Sequence, residues 1–227
     1  MKNKVLPLVI CMLALNWVCA QDWPDLNRFK KQNEALGAPT NGEQRVVFMG
    51  NSITEGWPGK DPEYFKNKGY INRGIGGQTT PQMLLRFRAD VIDLEPKVVI
   101  ILAGTNDIAQ NTGPISLEEI RDNIISMAEL ARVHGIEVII SSVLPAHDYH
   151  WKPGMDPHIK IPQLNEMLKT YALASGIIYL DYFTAMVDDR QGLPQKYAED
   201  GVHPTKEGYA LMKVLAEEAI QEALNKK

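Results

Sequence analysis

Cysteine is almost missing from this chain of 227 residues, and the two that occur, Cys11 and Cys19, both fall within the first twenty positions. That stretch, "MKNKVLPLVICMLALNWVCA", begins with the basic residues Lys2 and Lys4, continues with an apolar run from Val5 to Val18 and closes on Val18-Cys19-Ala20. It reads as a signal peptide cleaved after Ala20. The apolar run is shorter than the roughly 20 residues that span a bilayer, which argues against stable membrane insertion. A lipid-modified Cys19 is the rival reading, although Asn16-Trp17-Val18 lacks the small residue expected just before such a cysteine. With the leader removed, the chain from Gln21 onward holds no cysteine. Disulfides, a thiol nucleophile and a thiolate metal site are thereby excluded. A periplasmic or secreted bacterial protein is the expectation.

Positive charge is also in short supply. The formal net charge is −4, and loss of Lys2 and Lys4 takes it to −6. Nucleic-acid binding depends on clustered cations, so that class is disfavoured. Basic amphipathic helices, the usual sign of a membrane-surface role, are absent too. Internal repeats and low-complexity tracts are lacking, so a scaffolding role has no support.

Hydrophobic residues make up 44% of the chain, enough for one domain with a substantial core. Residues 21–44 are polar and weakly patterned and read as an N-terminal arm; residues 45–227 form the domain. Apolar runs predict five strands: Arg45 to Gly50, Tyr70 to Gly74, Pro96 to Gly104, Ile136 to Leu144 and Gly176 to Asp181. Helical periodicity predicts helices over Thr79 to Leu94, Ser116 to His134, Ile159 to Ser175 and Thr205 to Leu224. The second opens with the capping box Ser116-Leu117-Glu118-Glu119. Three stretches look irregular: Trp57 to Gly69, Pro145 to His158 and Phe183 to Pro204. Alternation of strand and helix indicates an α/β domain with a five-stranded parallel sheet.

Ligands of such sheets sit beyond the carboxyl ends of the strands. Distinctive residues cluster there. Ser52 follows the first strand in "RVVFMGNSITEGW"; a serine hydroxyl is a weak nucleophile until a base takes its proton. "DGVHP" offers that base, because Asp200 can accept from one ring nitrogen of His203 and leave the other free. A tetrahedral intermediate also needs donors. The backbone N–H of Gly76 in "GIGG", the Asn106 amide in "GTND" and the Ser52 N–H at a helix start are the candidates.

"GNSITEG", "NRGIGGQTT", "GTND" and "DGVHPTKEGY" resemble, in order and spacing, the four blocks of the SGNH/GDSL hydrolase superfamily. "SVLPAHDYHWKPG" and "YLDYFTAM" are similar to segments of its platelet-activating-factor-acetylhydrolase-like and lysophospholipase-like esterase branch. The resemblance implies a flavodoxin-like three-layer α/β/α sandwich. It implies Ser52 as nucleophile, Asp200 and His203 as its partners, and Ser52, Gly76 and Asn106 as oxyanion donors. One departure stands out: the usual Gly-Asp-Ser is Gly50-Asn51-Ser52 here. Asn51 retains an acceptor beside the nucleophile and loses the charge, so it is expected to tune rate from a position against the substrate. The α/β-hydrolase elbow is excluded, since Thr54 breaks Gly-x-Ser-x-Gly.

Plainer readings compete at several positions. Ser52 alone would be read as a helix N-cap, and Asn106 as a turn cap with Asp107 doing structural work. "GIGGQTT" could cradle a phosphate, but no Gly-Lys-Ser/Thr follows. His147, Asp148, His150, Asp156 and His158 hint at a metal, yet their spacing fits neither a helix nor a finger, so no metal is expected. That loop is read as overhanging the site, with Tyr149 and Trp151 as a wall for the acyl group or a sugar. His134 ends a helix, where a cation suits the dipole.

The expectation is an exported serine esterase that removes short acyl groups, acetyl above all, from a carbohydrate, without a cofactor. A lysophospholipase or thioesterase acting on longer chains is one alternative. A catalytically silent glycan-binding protein on the same scaffold is the other. Oligomeric state stays open.

Overall fold

The computed structural model describes residues 22–66 and 68–226. The expected leader, with Cys11 and Cys19, lies outside the described residues. In chain order the elements are α1 (Lys30–Leu36), β1 (Val46–Gly50), α2 (Ser52–Lys60), α3 (Pro62–Phe65), β2 (Tyr70–Gly74), α4 (Thr80–Asp90) and β3 (Val98–Leu102). They continue with α5 (Thr105–Ile108), α6 (Leu117–Val133), β4 (Glu137–Ser141), α7 (Pro157–Ala174), β5 (Ile178–Leu180), α8 (Tyr182–Met186) and α9 (Lys206–Asn225).

The five strands are all parallel, in the order β2-β1-β3-β4-β5. Residues of β1 and β3 are buried throughout, which is why their sequences read as continuous apolar runs and not as alternation. Helices cover both faces. Val47, Met49, Val99, Ile101, Val138 and Ile140 point to one side, against Met83 and Phe87 of α4, Ile120 and Ile124 of α6, and Leu164 and Leu168 of α7. Val46, Phe48, Val98, Ile100 and Ile139 point to the other, against Trp57, Tyr64, Tyr209 and Met212. The result is an α/β/α sandwich with two cores, one per sheet face. Each large side chain buried this way is worth about 1.5–3 kcal/mol.

Predicted helix starts hold where capping chemistry is explicit. Ser116 Oγ accepts the Glu119 N–H at 3.2 Å, and Glu119 Oε2 accepts the Ser116 N–H at 2.8 Å. Thr205 Oγ1 caps α9 by accepting from Gly208 N. Other boundaries move. The helix expected to Leu94 ends at Asp90, followed by a 3-10 turn at Ile92–Leu94 and a left-handed Glu95. Helix α7 begins two residues before the expected Ile159, because Pro157 fits a first helical turn.

The weakly patterned arm and one stretch expected to be irregular both contain helix. The arm contains α1, and Asn33 bonds Ala89 O at 3.0 Å and accepts Arg73 Nη2 at 2.6 Å. Trp57 to Gly69 is largely helical although it holds Pro58 and Gly59. Its pattern is weak because tertiary packing maintains it: Trp57 stacks on Tyr64 at 5.1 Å and meets Phe48 edge-on at 5.8 Å. Among the described residues, no helix is long and apolar enough to cross a membrane.

Candidate active site

Strand β1 delivers Ser52 to the carboxyl end of the sheet and α2 begins with it. Asn51, not Ser52, is the N-cap: Asn51 Oδ1 accepts the Ile53 N–H at 3.0 Å. Ser52 is thereby the first helical residue, with its N–H free of any intrahelical acceptor and its Oγ free of capping duty. Asn51 is 2% exposed, so the expectation that it touches substrate is corrected. It shapes the turn that presents its neighbour.

The loop before α9 supplies the other two groups. Ser52 Oγ lies 2.9 Å from His203 Nε2. His203 Nδ1 lies 2.7 Å from Asp200 Oδ2. Asp200 Oδ1 accepts the N–H groups of Val202 and His203, at 2.9 and 2.7 Å, which fixes the carboxylate on the loop that carries the imidazole. Partial burial raises the Asp200 carboxyl, but bonds from the His203 ring and these N–H groups outweigh it and hold the group below the ordinary carboxylate value. An ionised Asp200 accepts the Nδ1–H, and this leaves Nε2 to accept the serine proton. Tyr209 ties the two halves together, its hydroxyl donating to Ile53 O at 2.7 Å.

The remaining expected residues lie just after β2 and β3, Gly76 close to Ser52 and Asn106 in α5. Asn106 lies buried in α5 and donates an amide N–H to Gln78 O at 2.9 Å. Gln78 is itself fixed. Its Oε1 accepts Arg86 Nε at 2.6 Å and its Nε2 donates to Pro24 O at 2.8 Å. Arg86 is 0% exposed and also donates to Gly50 O and Arg73 O, at 3.0 Å each. One guanidinium thus joins the ends of β1 and β2 to the loop that holds Asn106. Gly74 must be glycine, since a Cβ there would meet Glu55 N at 2.1 Å. The Gly76 N–H is already engaged, donating to Glu55 Oε2 at 2.9 Å.

Asp107 is buried, and its Oδ1 accepts both the N–H and O–H of Thr80, at 2.8 and 2.6 Å. Burial pushes its carboxyl up, the Thr80 bonds partly offset this, and the value reaches about 6.

The two aromatic residues expected to form a wall take different places. Trp151 is exposed, lies 6.5 Å from the His203 ring and donates Nε1–H to Asn111 Oδ1 at 3.2 Å. Tyr149 is 0% exposed and stacks beneath Trp151 at 4.8 Å, so its place in a substrate-facing wall is corrected. It supports the plate from behind. His147 and His158 pair through backbone carbonyls, Nδ1 of the first with Arg190 O and Nδ1 of the second with His147 O.

Glu55 and Arg28 are the site residues that sequence reasoning missed. Glu55 lies three positions after Ser52, hence on the same helical face, a spacing that could have flagged it.

Comparison with known proteins places the chain in a family. The GDSL-like Lipase/Acylhydrolase family matches residues 48–211. A GDSL-like lipase from Bacteroides thetaiotaomicron VPI-5482 superposes with a TM-score of 0.87 at 47% identity, covering 88% of this chain and 99% of that one. Lipoprotein YqeF of Bacillus subtilis is 35% identical over 126 residues, 48% of this chain and 52% of that protein, so the match spans about half its length. Esterase TesA of Pseudomonas aeruginosa is 26% identical over 168 residues, 72% of this chain and 77% of that protein. The chain belongs to the GDSL-like Lipase/Acylhydrolase family and is a carboxylic ester hydrolase.

Proposed function

We propose that the protein is an exported serine esterase that removes short acyl groups, acetyl above all, from a hydroxyl-rich alcohol such as a carbohydrate. The observation behind the reading is the continuous path from Ser52 Oγ through His203 to Asp200, with contacts of 2.9 and 2.7 Å. Ser52 Oγ attacks the ester carbonyl as His203 Nε2 takes its proton. Asp200 stabilises the imidazolium, and the N–H groups of Ser52 and Gly76 with the Asn106 amide receive the oxyanion. Collapse breaks the bond to the alcohol, which leaves with the proton from Nε2. Water then attacks the acyl-enzyme, giving its proton to the same nitrogen, and the acid departs as Ser52 recovers its hydrogen.

Two features favour a short acyl group and a polar alcohol. The large apolar groove, about 780 Å³ and lined by Ile125, Pro162, Met167 and Tyr171, lies between α6 and α7 and includes none of the three catalytic candidates. The cleft that borders His203 and Asp200, about 650 Å³, is lined by Lys60, Gln195, Lys196, Glu199 and Glu207. Charged and amide groups suit hydroxyls better than a fatty chain, and the exposed Trp151 plate suits a sugar ring.

Hydrolysis of p-nitrophenyl acetate, butyrate, octanoate and palmitate, with Ser52→Ala alongside, tests the reading. Acetate preference abolished in the variant is expected. Preference for octanoate or longer would favour the lysophospholipase or thioesterase alternative. Wild-type activity in Ser52→Ala would overturn the assignment of the nucleophile. Export is tested separately by N-terminal sequencing of the mature protein, with Gln21 expected first and a lipid on Cys19 as the contrary result.

A further inference from the structure

We propose that Glu55 is an internal competitor for the oxyanion site: its carboxylate holds the Gly76 N–H that the ester oxygen requires, and each turnover displaces it. The inference rests on the serine-esterase reading above. Glu55 Oε2 accepts the Gly76 N–H at 2.9 Å, and Oε1 accepts Arg28 Nη2 at 2.7 Å. The nucleophile is adjacent. A Cβ built on Gly76 would sit 2.8 Å from Glu55 Oε2 and 3.8 Å from Ser52 Cβ. An anionic oxygen therefore occupies the donor that the developing oxyanion needs.

The two states differ in charge, and that decides the order of events. An ester carbonyl is neutral when it arrives and negative once Ser52 has added to it. With Glu55 in place, that negative oxygen would lack a donor, a loss worth about 10²–10³ in kcat, and would also face a like charge. Glu55 must turn away before attack. Only its side chain can do so, because its backbone is wedged against Gly74 at the end of β2. The side chains of Glu55 and Arg28 are 37% and 50% exposed, so the pair that holds the carboxylate back borders water and is weakly held. The arm carrying Arg28 thus reaches the catalytic centre.

The consequence is selectivity by charge. A neutral acetyl ester gains the full set of donors as it displaces Glu55. A free carboxylate, such as the product acid, competes with a tethered carboxylate at high effective concentration and is expelled.

The test uses the full chain with p-nitrophenyl acetate as substrate and sodium acetate as inhibitor, and a fluorophosphonate that labels Ser52. In Glu55→Ala the inhibition constant of acetate is expected to fall at least tenfold, with phosphonate labelling as fast as wild type or faster. Glu55→Gln, which keeps an acceptor for Gly76 and loses the charge, is expected to give an intermediate fall and serves if the alanine variant does not fold. Arg28→Ala is expected to shift acetate inhibition in the same direction by less. Unchanged acetate inhibition in both Glu55 variants overturns the proposal. So does a parallel loss of turnover and labelling at unchanged melting temperature, which would make Glu55 a support for the Gly76 loop. Failure of the underlying reading shows elsewhere, as wild type that the phosphonate does not label or Ser52→Ala that remains active.

Discussion

Ser52 and His203 are 151 positions apart in the chain, yet Oγ and Nε2 stand at 2.9 Å. The contact is made by the first residue of one helix and a loop residue just ahead of another, with Asp200 orienting the ring from three residues away. Ser52→Ala and His203→Ala are each expected to lower kcat by about 10⁴ or more, as members of a unit whose losses are not additive. Asp200→Asn is expected to cost about 10²–10⁴ through the wrong tautomer, with substrate binding little changed. Steady-state kinetics on p-nitrophenyl acetate reads all three. Full turnover in Asp200→Asn would remove it from the relay.

Asn106 reaches its position through Gln78, which Arg86 and the arm hold on both sides. Asn106→Ala is expected to reduce kcat by about 10²–10³, the cost of one oxyanion donor. Gln78→Ala leaves the carbonyl that holds Asn106 and removes what fixes that carbonyl, so about a tenfold fall in kcat at near-constant KM is expected. A rise in KM with unchanged kcat would place Gln78 in substrate binding instead.

Trp151 stands exposed beside His203, backed by the buried Tyr149. Trp151→Ala is expected to raise KM on acetylated oligosaccharides about tenfold and to leave p-nitrophenyl acetate within about twofold, since the loss of a stacked plate removes binding and not chemistry. Equal effects on both substrates would deny it a role towards the alcohol.

Asp107 carries a pH signature. Its folded value of about 6 lies above the unfolded 3.8, so the native chain binds the extra proton between those limits. Stability from this group is full below about pH 4 and is lost as pH rises through 6. Asp107→Asn does not titrate, so its melting temperature relative to wild type should rise between pH 4 and pH 7, by the equivalent of about 2–3 kcal/mol. Parallel curves across that range would show that the carboxyl does not titrate there.

Much of this site was legible because its parts are short and local. "GNSITEG", "GIGG", "GTND" and "DGVHP" each end a strand or precede a helix, and turn chemistry at such places is written in adjacent residues. Glu55 was not legible as a ligand of Gly76, because the contact depends on β2 lying beside β1. Tyr149 and Trp151 looked alike in sequence; only packing showed that one is buried beneath the other. A helix start at Ser52 was legible but its run to Lys60 was not, since Gly56, Pro58 and Gly59 oppose it locally and its support comes from Phe48, Tyr64 and Tyr209 on other elements. Asn51 was assigned to the substrate on proximity to Ser52 alone, whereas its acceptor is spent on a helix end.

The bond from Tyr209 to Ile53 has a bearing on how the protein comes into being. Every strand among the described residues and all three proposed oxyanion donors precede residue 199, so a nascent chain can complete its sheet while still lacking the proposed base. Docking of α9 onto α2 brings His203 to Ser52, and activity is expected only then. Trp57 packs on Tyr209 of α9 at 5.3 Å, so refolded protein should regain buried-Trp57 fluorescence and activity together, both timing the closing of the last helix.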